Sequence, residues 1–472
     1  MAQTLELDDI QGIVIRGYGN LRAACYELFR VEEPAAARNW LQTLAPAVTT
    51  GETRPQATSM NVAFTLSGLR ALGLAPELLS TFSHEFSEGM ATPYRSRILG
   101  DVGASAPERW TWGGPATERV DLVLLLYARH EAALTSLRDS HLSSPESRGL
   151  RHLATLETVD LGDREHFGFH DGISQPLIEG LPKAGSPADT VKAGEFILGY
   201  PNEYGLYTDT PVVPPDQDPH NRLPPGVDGS GMRDFGRNGS YLVFRQLQQD
   251  VPGFRRFLDE ATRNADGSSN PAEGTRLAAR MVGRWPSGAP LLLAPEEDNP
   301  HLANENNFSY FRLDAPGYRC PVGAHIRRSN PRDTLDPRPG SNQSVALNKR
   351  HRLLRRGREY GTPVPADASG SPTSPDDNRG LQFLCLSGNL ARQFEFVQHT
   401  WLNNPTFHGL YDDTDSIIGS HAALGNTFTV QAQPVRRRYT GLPDFVTVLG
   451  GAYFFVPGIR ALHYLSAIDA RP

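Results

Sequence analysis

The chain has 472 residues, 39% of them hydrophobic, and a formal net charge of −7. That length suits two or three domains, or one large two-part domain with a sizeable core; the mild acidity argues against nucleic acid, which selects a basic face. Cys25, Cys320 and Cys385 stand far apart with no CxxC pair, so a cysteine-built zinc or iron–sulfur site is not expected and the thiols read as reduced and buried.

In chain order, residues 1–9 show neither a basic nor an apolar leader region. The longest apolar run, over 120–128, is broken by Asp121 and too short to span a bilayer. A cytoplasmic protein without a membrane partner is expected. Residues 23–30 read as a strand, Glu33-Pro34 as a turn, and 35–44 as an amphipathic helix with proline near its start. The same order returns about 200 residues later, with a strand over 239–245, a turn at Asp250-Val251-Pro252 and a helix over 253–261. Residues 120–127 and 130–138 read as another strand and helix. So do 381–386 with 390–402, and 452–456 with 458–466. Short strands alternating with helices predict an α+β fold of antiparallel sheets, each covered by helices on one face. The near-repeat divides the chain into related halves, 1–215 and 235–472. Residues 182–192, 213–234, 343–349 and 363–379 are rich in Gly, Pro, Ser, Asp and Asn and read as loops.

The residues able to carry chemistry fall in three places. Gly168-Phe169-His170-Asp171-Gly172-Ile173-Ser174-Gln175-Pro176 sets one carboxylate between two glycines, which allow a backbone to approach a ligand closely. His325 follows Gly323-Ala324 and precedes Arg327 and Arg328; its imidazole can bind a haem iron or serve only as a hydrogen-bonded strand-end residue. Arg355 lies in a basic run whose Leu353-Leu354 pair implies partial burial. A carboxylate, a histidine and an arginine are the set needed to split a peroxide on haem iron. His166 and His170, at i and i+4, offer a rival two-histidine metal site, although Gly168 and Gly172 interrupt any helix that would align them. No GxSxG, SxxK or GxxxxGK[ST] pattern occurs.

Taken in order, Asp8-Asp9-Ile10-Gln11-Gly12, Asp171-Gly172, Gly323-Ala324-His325-Ile326-Arg327, Leu354-Arg355-Arg356-Gly357, the stretch from Arg392 to Pro405, and Gly450-Gly451-Ala452-Tyr453 resemble the dye-decolourising peroxidases over nearly the whole chain. The resemblance implies two ferredoxin-like halves, a barrel-like α+β fold with one haem b per chain in the second half. It implies His325 as the iron ligand, Asp171 and Arg355 as the catalytic pair on the opposite face, and Leu381 and Phe383 as apolar neighbours there. It places Arg327 and Asn330 beside the propionates and Asp415 behind His325, with Ser416 where the family often has proline. It implies hydrogen peroxide and small-molecule reducing substrates as partners, with dyes and phenolics as donors, and leaves oligomeric state open. The non-enzymatic rival is a haem-delivery protein, which needs His325 but neither Asp171 nor Arg355. The spacing from His325 to Arg355 suggests an insertion over 337–349 and a longer subclass. Trp401, Trp110 and Tyr360 are candidate relays for donors too bulky to reach the haem.

Overall fold

The computed structural model describes residues 4–143, 149–182, 185–364 and 378–468. Parts of the loops read over 182–192 and 363–379, and both chain ends, lie outside the described residues.

The first half winds as β1 (Ala23–Val31), α1 (Pro34–Leu44), β2 (Thr58–Phe64), β3 (Leu122–Ala128), α2 (Glu131–Leu142) and β4 (Leu150–Glu157), with strands in the order β4-β1-β3-β2, all antiparallel. The second half repeats that course. Its elements are β5 (Ser240–Gln249), α3 (Val251–Thr262), α4 (Pro271–Val282), α5 (His325–Ser329), α6 (Asn342–Lys349), β6 (Leu354–Arg355), β7 (Arg358–Tyr360), β8 (Gly380–Ser387), β9 (Val446–Val456) and α7 (Ile459–Ser466). The order here is β6-β8-β5-β9, with β7 also on β8. Both are ferredoxin-like arrangements, joined at one edge by Phe455 opposite Phe64.

Local chemistry explains the repeated strand–turn–helix units. Pro34 opens α1 and Pro252 opens α3, where a missing N–H costs nothing, and the Asp250 carboxylate caps α3 by accepting from the Gly253 N–H. The two sheets face one another across a shared core, in which the Phe244 ring of β5 meets Tyr26 of β1 edge-on at 5.4 Å and Trp112 at 5.1 Å. All of β3 is buried, so its sequence is a continuous apolar run rather than an alternating one. The outer faces are covered by helices, with α7 returning from the second half to pack on α1 of the first.

Two expectations are corrected. Residues 343–349, read as a loop, form α6, because Ser341 caps the helix by accepting from the Ser344 N–H, with Asn342 and Gln343 facing out and Ser344 and Asn348 turned inward. Trp401, Trp110 and Tyr360 are each only 4% exposed, so they are core residues and not surface relays. Trp110 spends its one donor on the Ser105 carbonyl. Residues 391–402 are helical as read, but wound as two wide π-type segments. Among the described residues no helix is long and apolar enough to cross a membrane.

Candidate active site

One large cavity lies between the second-half sheet and the helices above it. Its floor is the sheet face carrying Leu381 and Phe383 from β8, Arg245, Leu247 and Gln249 from β5, and Val446 and Val448 from β9. Those residues share a face because strand side chains alternate, so positions two apart point the same way. Arg355 on β6 pairs with Cys385 of β8 and therefore belongs to the same face.

The glycine turn comes to this floor from the first half. Gly168 and Gly172 both have positive φ, at +100° and +80°, so the turn needs residues without a Cβ penalty there. Glu165 clamps it. The Phe169 N–H donates to Oε1 at 2.9 Å, and the Phe167 N–H and Gln249 Nε2 donate to Oε2 at 2.8 and 2.7 Å. Asp171 then projects into the cavity, where its Oδ1 accepts from Arg355 Nη1 at 2.9 Å. The partner strand is tied to the same turn, since the Arg355 N–H donates to Gln175 Oε1 at 3.1 Å. The side chain of Asp171 is 42% exposed, and that surface faces the cavity. Burial would raise its pKa. The Arg355 charge, the Gly172 N–H and the Arg355 hydrogen bond outweigh burial and hold it below the usual 3.8.

His325 opens α5 on the opposite wall. Its Nδ1 lies 3.0 and 3.1 Å from the two oxygens of Asp415. Asp415 is fully buried and held by the N–H groups of Ile417 and Ile418, at 3.0 and 2.9 Å to Oδ1. A carboxylate at Nδ1 fixes the proton there and leaves Nε2 as the nitrogen with a lone pair to offer. Burial opposes charge on both groups, and their mutual attraction overcomes it, raising the pKa of His325 and lowering that of Asp415. Ser416 donates its hydroxyl to the Met281 carbonyl at 2.8 Å and so ties the loop to the end of α4.

The predicted residues Asp171, His325, Arg355, Leu381, Phe383 and Asn330 all line this cavity. Asn330 donates to Ser174 Oγ at 3.3 Å and accepts from Asn348 of α6 at 2.8 Å. Arg327 is the exception. Its guanidinium turns away to the carbonyls of Asp314, Ala315 and Cys320 and the Asp314 carboxylate, stacks on Tyr310, and does not reach the cavity. The arginine that does is Arg332, left-handed at φ +56°, with Nη1 and Nη2 on Asn306 and Nε unpartnered. Arg352 is its neighbour, paired to Asp189 through Nη1 with Nη2 unpartnered. Nothing in the local pattern separates Arg332 from Arg327 or Arg328; Arg332 lies beyond α5, and its left-handed backbone turns it inward. His166 is buried, with Nε2 donating to the Tyr360 carbonyl at 2.8 Å, and His170 sits by the Ser287 carbonyl. The two do not converge, and among the described residues no group of three His, Cys, Asp or Glu could hold a metal ion.

No family model matches the chain. It is 32% identical to Peroxidase 2 of Mycetinis scorodonius over 97% of this chain and 87% of that protein. It is 30% identical to a dye-decolorizing peroxidase of Auricularia auricula-judae, over 98% and 87%. A match to the deferrochelatase of Yersinia pestis, at 28% identity, covers only 38% of this chain and 27% of that one. Among solved structures, a dye-decolorizing peroxidase from Auricularia auricula-judae superposes with a TM-score of 0.78 at 28% identity, covering 98% and 100% of the two chains. A dye-decolorizing peroxidase in complex with 2,6-dimethoxyphenol superposes with 0.77 at 27%, again over 98% and 100%.

Proposed function

The chain belongs to the dye-decolorizing peroxidases, and we propose that its central cavity holds one haem b per chain, with which it reduces hydrogen peroxide and oxidises dyes, phenolics and other one-electron donors. The two halves are taken as residues 1–215 and 235–472, the first built on four strands and the second on five.

The residues present fit a haem on chemical grounds. His325 would hold the iron through Nε2, with Asp415 at its Nδ1. Arg332 Nε and Arg352 Nη2 are buried donors without partners beside Asn330, suited to the anionic propionates. Leu381, Phe383, Ile417 and Ile418 supply apolar walls. When bound, haem supplies an iron that peroxide can oxidise and from which donors are oxidised one electron at a time.

The chain's own groups do the rest. Asp415 keeps the Nδ1 proton in place and strengthens His325 as a donor. Asp171, ionised because Arg355 holds its pKa down, has one oxygen engaged by Arg355 and the other left to take a proton from peroxide. It returns that proton to the far oxygen, which leaves as water; positioned transfer of this kind contributes roughly 10²–10⁴-fold. Arg355 stabilises the negative charge that develops as the O–O bond opens. Phe383 and Leu381 keep the site dry enough for that charge interaction to count.

The observation that carries this reading is the convergence, in one cavity, of an Asp171–Arg355 pair with a His325 backed by Asp415. A haem-delivery protein would need only the second of these. The test is an absorbance spectrum of the haem-loaded protein before and after hydrogen peroxide, followed by turnover of 2,6-dimethoxyphenol and an anthraquinone dye. A peroxide-dependent change with turnover supports the peroxidase. A Soret band inert to peroxide would refute it in favour of the carrier.

A further inference from the structure

A second ionic pair lines the same cavity and takes no part in the steps above. Arg245 of β5 and Asp101, from the loop after residue 99 in the first half, are 3% and 4% exposed and bonded to each other through Arg245 Nη2 and Asp101 Oδ1. Each keeps one buried polar atom without a partner, Nε of Arg245 and Oδ2 of Asp101. Each unmet group costs about 1–3 kcal/mol until something meets it. The surroundings are apolar and aromatic. Arg245 lies opposite Phe383 across the strands and 5.8 Å from the Phe394 ring, and the two rings are 6.2 Å apart. Leu99 closes the same lobe, its carbonyl held by Asn403 and Gln398.

A hydroxyl offers one donor and one acceptor together, and the flanking Phe383 and Phe394 rings favour one carried on an aromatic ring. We propose that this lobe is a binding subsite for phenolic reducing substrates, with Asp101 Oδ2 accepting from the phenol hydroxyl, Arg245 Nε donating to it, and Phe383 and Phe394 flanking the ring. Two strand spacings and one residue pair separate Arg245 from Arg355 on the same face, about 12 Å between Cα atoms, so a phenol here sits within one small molecule's length of the peroxide-handling pair. In the reaction each phenol gives its hydroxyl proton to Asp101 and one electron to the oxidising equivalent that peroxide supplies, and leaves as a phenoxyl radical. Two phenols are consumed per hydrogen peroxide, and their protons end in the two waters formed. Burial raises the Asp101 pKa, and the Arg245 charge opposes this without cancelling it, so the carboxylate is a better proton acceptor than a solvated one. The other ionisable groups nearby are Cys385 and Tyr453, both held neutral by burial, and Glu395, which is paired with Arg95 and accepts from Tyr453.

This rests on the peroxidase reading, and the experiment separates the two. In haem-loaded enzyme, Asp101→Asn keeps the shape and is expected to lower kcat/KM for 2,6-dimethoxyphenol by about 10-fold or more. It is expected to leave kcat/KM within about twofold for 2,2′-azinobis(3-ethylbenzothiazoline-6-sulfonate), which loses an electron and no proton. The acid limb of the phenol profile should flatten in the variant, and only for the phenol. Arg245→Lys, which retains the pair and removes Nε, should raise KM for the phenol and spare the other donor. Parallel losses for both donors, or unchanged phenol kinetics, would overturn the subsite. Saturation-transfer NMR of 2,6-dimethoxyphenol without peroxide decides binding independently of turnover: a signal in the parent that vanishes in both variants supports the subsite, and one that persists refutes it. Failure of the parent to turn over either donor, with that NMR signal present, would count against the peroxidase reading alone.

Discussion

Glu165 has no part in the proposed steps on peroxide, yet the geometry makes the position of Asp171, the proposed base, depend on it. Its two oxygens take three hydrogen bonds, from Phe167, Phe169 and Gln249, and two of those donors are backbone groups of the turn that presents Asp171. Burial pushes its pKa up and the three donors pull it down without full compensation, so holding the charge costs the fold part of what the bonds return. Glu165→Gln, with its oxygen at the Oε2 position, keeps the bonds from Phe167 and Gln249 and turns an NH2 group on the Phe169 N–H. One bond is lost and two donors meet, at a cost of about 1–3 kcal/mol. Glu165→Ala strands all three donors, for roughly 3–9 kcal/mol in total, less whatever water recovers from the cavity. The stability part is read from the midpoint of denaturant unfolding followed by far-UV circular dichroism. The positioning part is read from kcat/KM for hydrogen peroxide, which should fall about 10–100-fold in the alanine variant, since a shift of an ångström at a reacting group is enough for that. Haem uptake through His325 should be unchanged. An alanine variant that folds and keeps the parent kcat/KM would refute the claim that Glu165 sets the position of Asp171.

Other expectations follow from the same geometry. Because Asp171 acts as a carboxylate and its pKa is depressed by Arg355, activity should persist on the acid side of neutrality and fail only as pH drops through that lowered pKa. Arg355→Leu should move the failing limb of the peroxide kcat/KM profile upward, besides lowering kcat by about 10²–10³-fold, and an unmoved limb would exclude Asp171 as the base. Asp415→Asn removes the charge behind His325; haem affinity measured by transfer to apomyoglobin should fall about 10–100-fold, and the midpoint potential of the iron should rise. Arg332→Leu, which strands nothing on the distal side, should speed haem loss in the same transfer assay while leaving the pH profile of peroxide use where it was. Phe244→Ala opens a void between the two sheets and should destabilise the fold by about 3–5 kcal/mol, seen as a lower unfolding midpoint.

What could be read from sequence alone follows how local each cause is. The strand–turn–helix units of 23–44 and 239–261 are legible because proline, cap and apolar period all lie within one segment. β2 is not, because its Asn61 and Ser59 are polar yet buried, and Asn61 is satisfied by Gln11 and Tyr18 from 50 and 43 residues away. β4 is an edge strand with half-exposed positions and carries little apolar signal. At the site, the turn around Asp171 announces itself through glycines that need positive φ. Asp415 is reachable only through resemblance, since 90 residues separate it from His325. Arg332 is hidden by its competitors, because three arginines stand within six residues and only backbone conformation turns one of them inward. The Asp101–Arg245 pair spans 144 residues and both halves, so no local pattern contains it.

The cavity and the layer behind His325 bring together carboxylates of one chemical kind in different electrostatic states, and the difference suits them to different work. Asp171 and Asp415 each meet a positive partner together with backbone N–H donors, and both are driven below the ordinary range. Asp101 has a guanidinium but no backbone donor on its side chain, and Glu165 has backbone donors but no cation; in each, burial wins and the pKa rises. With both kinds of support a carboxylate here sits below the ordinary range, and with one kind it sits above it. The two that have both favour the charged form, which suits the roles proposed for them, Asp171 as a base toward peroxide and Asp415 as the counter-charge to His325. The two that lack one kind are closer to protonation, which suits Asp101 to taking a proton from a weak acid such as a phenol and confines Glu165 to holding a turn. Separation of pKa values within one cavity is how a single fold keeps acid and base duties apart.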